Sequence, residues 1–315
     1  MTGMVSSRRR RKFRRNRFNW QIFLMAMAGV VFLAIFAYIP MAGIAMAFKN
    51  LDYSMNVMKD LANKPWVGLA NFAKFIKDAQ FKTVMMNTLS LGVLELVITF
   101  PIPIFFALLL NELRSNKFKR VIQTTTYFPH FISWVVFGGI VSALLTSDGG
   151  LLNSLLLDLG MIKKPVNFLS ESEYFYAIVI ISTAIKGTGW SSVVYVAAIA
   201  GVDQAIYEAA KIDGANRWQI AFRVTLPSIA STITVLLLLA ISGILGSGFD
   251  RIYMLQNPLN LIKSEVLDTF VYKVGISNRR FSYTTAVGLF RSVLAVLLLG
   301  GGNMISKKLT GNGLF

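Results

Sequence analysis

The sequence predicts an all-α, polytopic membrane protein with six transmembrane helices, and three observations carry that prediction. Hydrophobic residues make up 55% of the 315-residue chain and charged residues only 15%, where a soluble globular domain carries about 25% charge. Six apolar stretches come near the ~20 residues a helix needs to cross a ~30 Å hydrocarbon core, where only helices and closed barrels satisfy their own backbone. The basic residues are also unevenly placed, with eight of the 32 Lys and Arg between Arg8 and Arg17, directly before the first apolar stretch. A net charge of +17 would otherwise suggest nucleic acid. Placed there, the run reads as an orientation signal against anionic membrane lipid, each charge contributing about 1 kcal/mol near the surface, and no nucleic-acid partner is expected. The chain has no cysteine and one histidine, His130, which excludes disulfides, thiolate metal sites and histidine clusters, so no metal is expected.

Taken in order, a basic segment over 1–20 precedes a transmembrane domain over 21–306 and a tail over 307–315. The first span runs from 21 to 43. Its basic start and Ala45-Met46-Ala47 imitate a cleaved signal peptide, but the apolar stretch from Ile22 to Ile39 is longer than such a signal's core. The connection over 44–84 holds Pro65-Trp66-Val67-Gly68-Leu69 and Asn71-Phe72, aromatic and turn residues suited to an interfacial cap. Further spans are read at 88–110, 128–146, 175–199, 228–247 and 284–306. Between the third and fourth, Leu151 to Leu159 reads as a short helix, lying at the interface or packed beneath a loop. With both termini inside, the inner segments hold 17 Lys and Arg and the outer ones 13, while the outer connections are longer and hold 10 of the 15 acidic residues. Positive residues are retained on the cytoplasmic side, so both termini are expected there.

The loop over 203–227 is dense in polar and small residues. Asp203 can cap a helix that carries Glu208, Ala209 and Ala210, and Gly214 can end it through a left-handed backbone. Trp218 to Val224 can form a second short amphipathic helix, and Pro227 suits the first turn of the next span. Physics alone leaves open whether this helix, break and helix merely joins two spans.

The order of residues adds a resemblance. Glu-Ala-Ala at 208–210, Gly six residues after the Glu, an aliphatic residue ten after the Gly and Leu226-Pro227 at the close resemble the EAA loop of permease subunits of bacterial ABC importers. One departure is Ala221 where the family usually has Phe, with Phe222 next to it. The stretch Trp66 to Phe72, Asn87-Thr88-Leu89 and the Pro129 region look like the sugar-importing branch, whose fold is MetI-like. The arginine-rich N-terminus and the length are similar to subunits importing oligosaccharides or uronate-bearing polysaccharide fragments. The resemblance implies a bacterial cytoplasmic (inner) membrane location and a second permease subunit in a heterodimer. It also implies an ATPase subunit dimer and an extracytoplasmic solute-binding protein that delivers the carbohydrate. The loop would dock on the ATPase as a coupling helix through Glu208, Ala209, Ala210, Asp213, Gly214, Ala215, Arg217, Val224 and Pro227. Glu208 would pair with a basic residue there, and Gly214 would let the turn seat. No Gly-x-x-x-x-Gly-Lys-Ser/Thr occurs in the chain, so ATP and Mg belong on the partner ATPase, and the chain itself is a transport subunit without cofactor or catalytic residues.

Three ionisable residues fall inside spans, where an unpaired charge costs ~2.5–3.5 kcal/mol: Glu95, Lys186 and Arg291. Glu95 and Arg291 each lie about seven residues from the outer helix end, hence ~10 Å deep, and are expected to pair as a structural ion pair; Arg291 could instead meet an acidic sugar. Lys186 lies near the middle of the fourth span. With Thr183, Gly187 and Trp190 it offers a donor, a stacking ring and room for close approach, the makings of a sugar site. The bland alternative is that Gly187 and Gly189 serve helix packing and Lys186 snorkels. Three other functions stay open: a same-fold permease for peptides, amino acids or phosphate, an ion-coupled secondary transporter, for which the sequence shows no clear repeated halves, and a membrane scaffold with no transport role.

Overall fold

The computed structural model describes residues 20–246, 248–311 and 313; the basic run Arg8 to Arg17 lies outside the described residues. Among these residues the only β pairing is one antiparallel bridge between Lys49 and Trp66. The chain divides into two compact units, Met1–Ala45 and Met46–Phe315. Helix α1 (Trp20–Phe48) opens in the first unit. From Trp20 to Met41 none of its side chains is buried, an apolar surface of the kind that lipid accommodates.

In the second unit, short helices α2 (Val57–Asn63) and α3 (Ala70–Ile76) fill the first connection. Asn71 clasps it, donating from Nδ2 to the carbonyls of Ala47 and Lys49 at 2.9 Å each. Helix α4 (Phe81–Asn111) is continuous; α5 (Asn116–Phe131) and α6 (Trp134–Leu145) are bent by 99° against each other. Next come α7 (Leu151–Asp158), α8 (Phe175–Ala200) and α9 (Gln204–Ile212). A second bent pair, α10 (Arg217–Ser228) and α11 (Ala230–Ser242), meets at 66°. The chain then folds back through α12 (Phe249–Leu255) and α13 (Leu267–Val271) before the closing helix α14 (Phe281–Thr310). Among the described residues, four helices are thus long and apolar enough to cross a membrane unbroken, and six spans result when each bent pair counts as one.

Two expected spans need correction in shape. Hydropathy alone makes the third a straight helix over 128–146. Instead, Phe128–Phe131 tightens into a 3₁₀ turn around Pro129, and Ser133 starts a new helix by accepting the Val136 N–H at 3.3 Å. The fifth is expected to start at Ser228 with Pro227 in its first turn; Pro227 stands one turn before the span proper, at the end of α10.

Prolines also accompany most of the widened helical turns. A proline lacks its N–H, and its ring crowds the carbonyl four residues back. Among the described residues, three of the four π-helical turns, Ala34–Tyr38, Glu95–Thr99 and Ala221–Thr225, each end two residues before a proline, namely Pro40, Pro101 and Pro227, while the fourth, Tyr272–Ser277, has none after it. One apolar cluster packs Leu91 of α4 with Phe175, Ile178 and Val179 of α8 and with Ile252 and Leu255 of α12. Another packs Ile104, Ala107 and Leu108 of α4 against Tyr195 and Ile199 of α8. Helices α4 and α8 are therefore the axis on which the site is built.

Candidate functional site

Two regions carry the residues singled out by sequence. The first is the loop from Asp203. Its Oδ1 accepts the Ala205 N–H at 3.0 Å and opens α9. Gly214 takes a left-handed φ of +77°; the Ala215 N–H then reaches the Ala210 carbonyl at 3.0 Å and the Gly214 N–H the Lys211 carbonyl at 3.1 Å. That is the Schellman closure of a helix, which favours glycine at this point. Asn216 restarts the chain through a reciprocal cap with Gln219, at 2.9 and 2.7 Å. Sequence reasoning missed this cap, although Asn-x-x-Gln is its signal. Glu208, Ala209, Asp213, Gly214, Arg217 and Pro227 are exposed, and Ala210, Ala215 and Val224 are half-buried. Where the resemblance left a choice of aromatic residue, Ala221 is buried and Phe222 is exposed, stacked on Trp218 at 6.0 Å and 15°. The loop thus offers a rigid, two-helix surface with a carboxylate, small side chains and an aromatic pair.

The second region is a cavity of about 550 Å³ between α4, α8 and α11. On α8, Thr183, Gly187, Trp190 and Val194 line it, the i, i+4, i+7, i+11 stripe of a helix. Across from them, the widened turn of α4 presents Glu95 to the cavity, with the Phe100 N–H bonded to the Glu95 carbonyl at 3.0 Å. Glu95 pairs with Arg251, Nη2 to Oε1 at 2.5 Å, and Arg251 Nη1 also donates to Thr183 Oγ1 at 3.2 Å. One guanidinium therefore ties together α4, α8 and α12.

That geometry corrects two expectations. Glu95 does not pair with Arg291, whose guanidinium is bonded to Asp268 instead, and Arg291 does not line the cavity. Depth along a helix does not choose the partner: the segment after α11 folds back into the bundle and brings Arg251 and Asp268, loop residues by sequence, to the charges. Lys186 is also no cavity residue. It lies off the lining stripe, is buried, and donates to the carbonyls of Pro129 at 3.2 Å and His130 at 2.8 Å. Hence it neither snorkels nor faces the cavity; it satisfies the backbone where the third span breaks. The two glycines divide likewise. Gly187 lines the cavity, whereas a Cβ on Gly189 would stand 2.2 Å from the Thr126 carbonyl oxygen of α5.

Residues 99–311 match the family of binding-protein-dependent transport system inner membrane components. The chain belongs to this family. It is 40% identical over 294 residues to the polygalacturonan/rhamnogalacturonan transport system permease protein YteP of Bacillus subtilis (strain 168), covering 93% of this chain and 90% of that protein. Protein LplB of the same organism is equally similar, 40% over 294 residues, with 93% and 91% covered. Among solved structures, a bacterial ABC transporter involved in the import of the acidic polysaccharide alginate contains a chain 36% identical, with a TM-score of 0.84 over 92% of this chain and 96% of that one. The chain is accordingly a permease subunit of an ABC importer, a membrane-spanning transport component and not an enzyme. The ion-coupled reading falls away.

Proposed function

We propose that this permease passes an acidic oligosaccharide, a uronate-bearing polysaccharide fragment, from an extracytoplasmic binding protein into the cytoplasm of a bacterium. The observation that carries this reading is the cavity wall: Trp190 and Gly187 give an apolar face with room beside it, and Thr183 and Glu95, both bonded to Arg251, give polar groups. A lone carboxylate would repel a uronate; joined to Arg251 it leaves the wall locally neutral and rich in hydrogen-bonding groups. The names of the relatives support the substrate class, since polygalacturonan, rhamnogalacturonan and alginate carry acidic sugars.

In this reading both termini and the loop from Asp203 to Pro227 lie on the cytoplasmic side, as the distribution of Lys and Arg favours. A second permease subunit completes the pathway, and each subunit's loop seats on one member of an ATPase dimer that holds ATP and Mg. Glu208, Ala209, Ala210, Asp213, Gly214, Ala215, Arg217, Val224 and Pro227 form the seat. Closure of the ATPase dimer moves the two loops together and switches the cavity between the two sides of the membrane. A second solved structure, a bacterial alginate ABC transporter in complex with its alginate pentasaccharide-bound periplasmic protein, supports a binding protein as the donor. The test is ATPase activity of the assembled importer with binding protein loaded in turn with oligogalacturonide, maltooligosaccharide, peptide or phosphate. Stimulation by the acidic glycan is expected, and stimulation by peptide or phosphate alone would overturn the reading.

A further inference from the structure

The break between α5 and α6 lies against the middle of α8. Pro129 and His130 sit in the 3₁₀ turn that ends α5, and both carbonyls accept from the Lys186 ammonium, the Pro129 carbonyl taking the Ile132 N–H at 3.3 Å as well. Such backbone is tolerated at membrane depth only when other groups satisfy it, and a charged donor makes the stronger kind of hydrogen bond. The ammonium also lies 5.3 Å from the centre of the Trp134 ring, on the first turn of α6. Close by, the α8 backbone at Gly189 touches α5 at Thr126. The turn is thereby fixed in height and rotation against α8.

This placement has a visible result one turn along α8. The His130 ring lies parallel to Trp190, with centroids 4.8 Å apart and planes within 7°, and Phe131 stands edge-on to Trp190 at 5.6 Å and 76°. Trp190 lines the cavity, and all three side chains are exposed. Buried aromatic clusters hold cores together; here the rings form an open face that continues the cavity wall. A pyranose presents apolar C–H faces and a polar rim, which suits rings that offer π faces together with an imidazole nitrogen.

We propose that His130 and Phe131 form with Trp190 the stacking wall along which sugar rings pass, and that Lys186 is the residue that positions it. The proposal rests on the carbohydrate reading above and names residues that reading does not use. The occupant is a pyranose chain, because Trp190 belongs both to the ring face and to the cavity wall; the second permease subunit is the competing occupant.

The complete importer in proteoliposomes tests it, with labelled oligogalacturonide and a titration of loaded binding protein. His130→Ala and Phe131→Ala should each lower the maximal import rate about two- to tenfold, the worth of one aromatic contact, with the half-saturating concentration of loaded binding protein and the unstimulated ATPase rate unchanged. His130→Phe, which keeps a ring, should restore the rate. Lys186→Met should give the same split, and Lys186→Arg, which can still donate to two carbonyls, should restore it. Unchanged maximal rates in both alanine variants, while the wild type imports glycan, would overturn the wall alone. Loss of the second permease from the purified His130→Ala complex would assign the face to subunit contact and overturn it as well. Import of no glycan by the wild type would overturn the carbohydrate reading and the wall with it.

Discussion

Arg251 holds the polar part of the cavity wall, Glu95 and Thr183, in place. Its guanidinium meets Glu95 and Thr183 while its own side chain is only 10% exposed. Breaking a fully buried pair by removing one partner costs ~3–5 kcal/mol; Glu95 faces the cavity, so the smaller cost here is on the order of 2 kcal/mol. Arg251→Met should therefore lower the midpoint of thermal unfolding of the detergent-solubilised permease. Adding Glu95→Gln should recover most of the loss, since the stranded charge is then gone. Gly214 is a second such point: its φ of +77° is strained for a branched side chain. Gly214→Val should abolish stimulation of ATPase activity by loaded binding protein while leaving the permease in the membrane, and full stimulation would remove this turn from the coupling surface. At this scale the sequence is legible where chemistry is local. The Asp203 cap and the Gly214 turn follow from neighbouring residues. The partners of Glu95 and Arg291 do not, because they come from a segment whose return into the bundle no local pattern marks.

Along α8, function divides by face. The stripe of Thr183, Gly187, Trp190 and Val194 lines the cavity, while Lys186 and Gly189 turn to α5. Ser191 lines the cavity and Ser192 is fully buried. Because the chain has no cysteine, single-cysteine labelling reads this directly. Ser191→Cys should react with a water-soluble thiol reagent and Ser192→Cys should not. Equal labelling of both would mean that the helix is rotated from the face described. Hydropathy places α8 itself within a residue or two, yet the polar residues near its middle group Lys186 with the sugar-facing side chains. Periodicity separates them, since 186 falls outside the 183, 187, 190 stripe, but nothing local marks which face is wet. The bent pairs are not legible in the same way. Hydropathy averages over the break at Ile132 and Ser133, and a proline at 129 or 227 is compatible with either a helix start or a kink.

For the molecule as a whole, composition and spacing carry the fold: six apolar stretches correspond to four unbroken helices and two bent pairs, and the residue spacing of one loop, from Glu208 to Pro227, is enough to indicate the family. The proposed orientation rests on the distribution of charge. Lys164→Cys should be labelled by an impermeant reagent only from outside the cell, and Lys211→Cys only from inside; both side chains are exposed. The reverse pattern would invert the topology and detach the loop from any cytoplasmic ATPase. Substrate class is the claim on which the rest converges. It is tested most directly by uptake of labelled oligogalacturonide into proteoliposomes holding both permeases and the ATPase, with loaded binding protein on the outer side and ATP available to the ATPase. ATP-dependent accumulation of the acidic glycan in preference to a neutral maltooligosaccharide is expected; accumulation of peptide or phosphate instead, or uptake indifferent to ATP, would rule out an ATP-driven importer of acidic glycans.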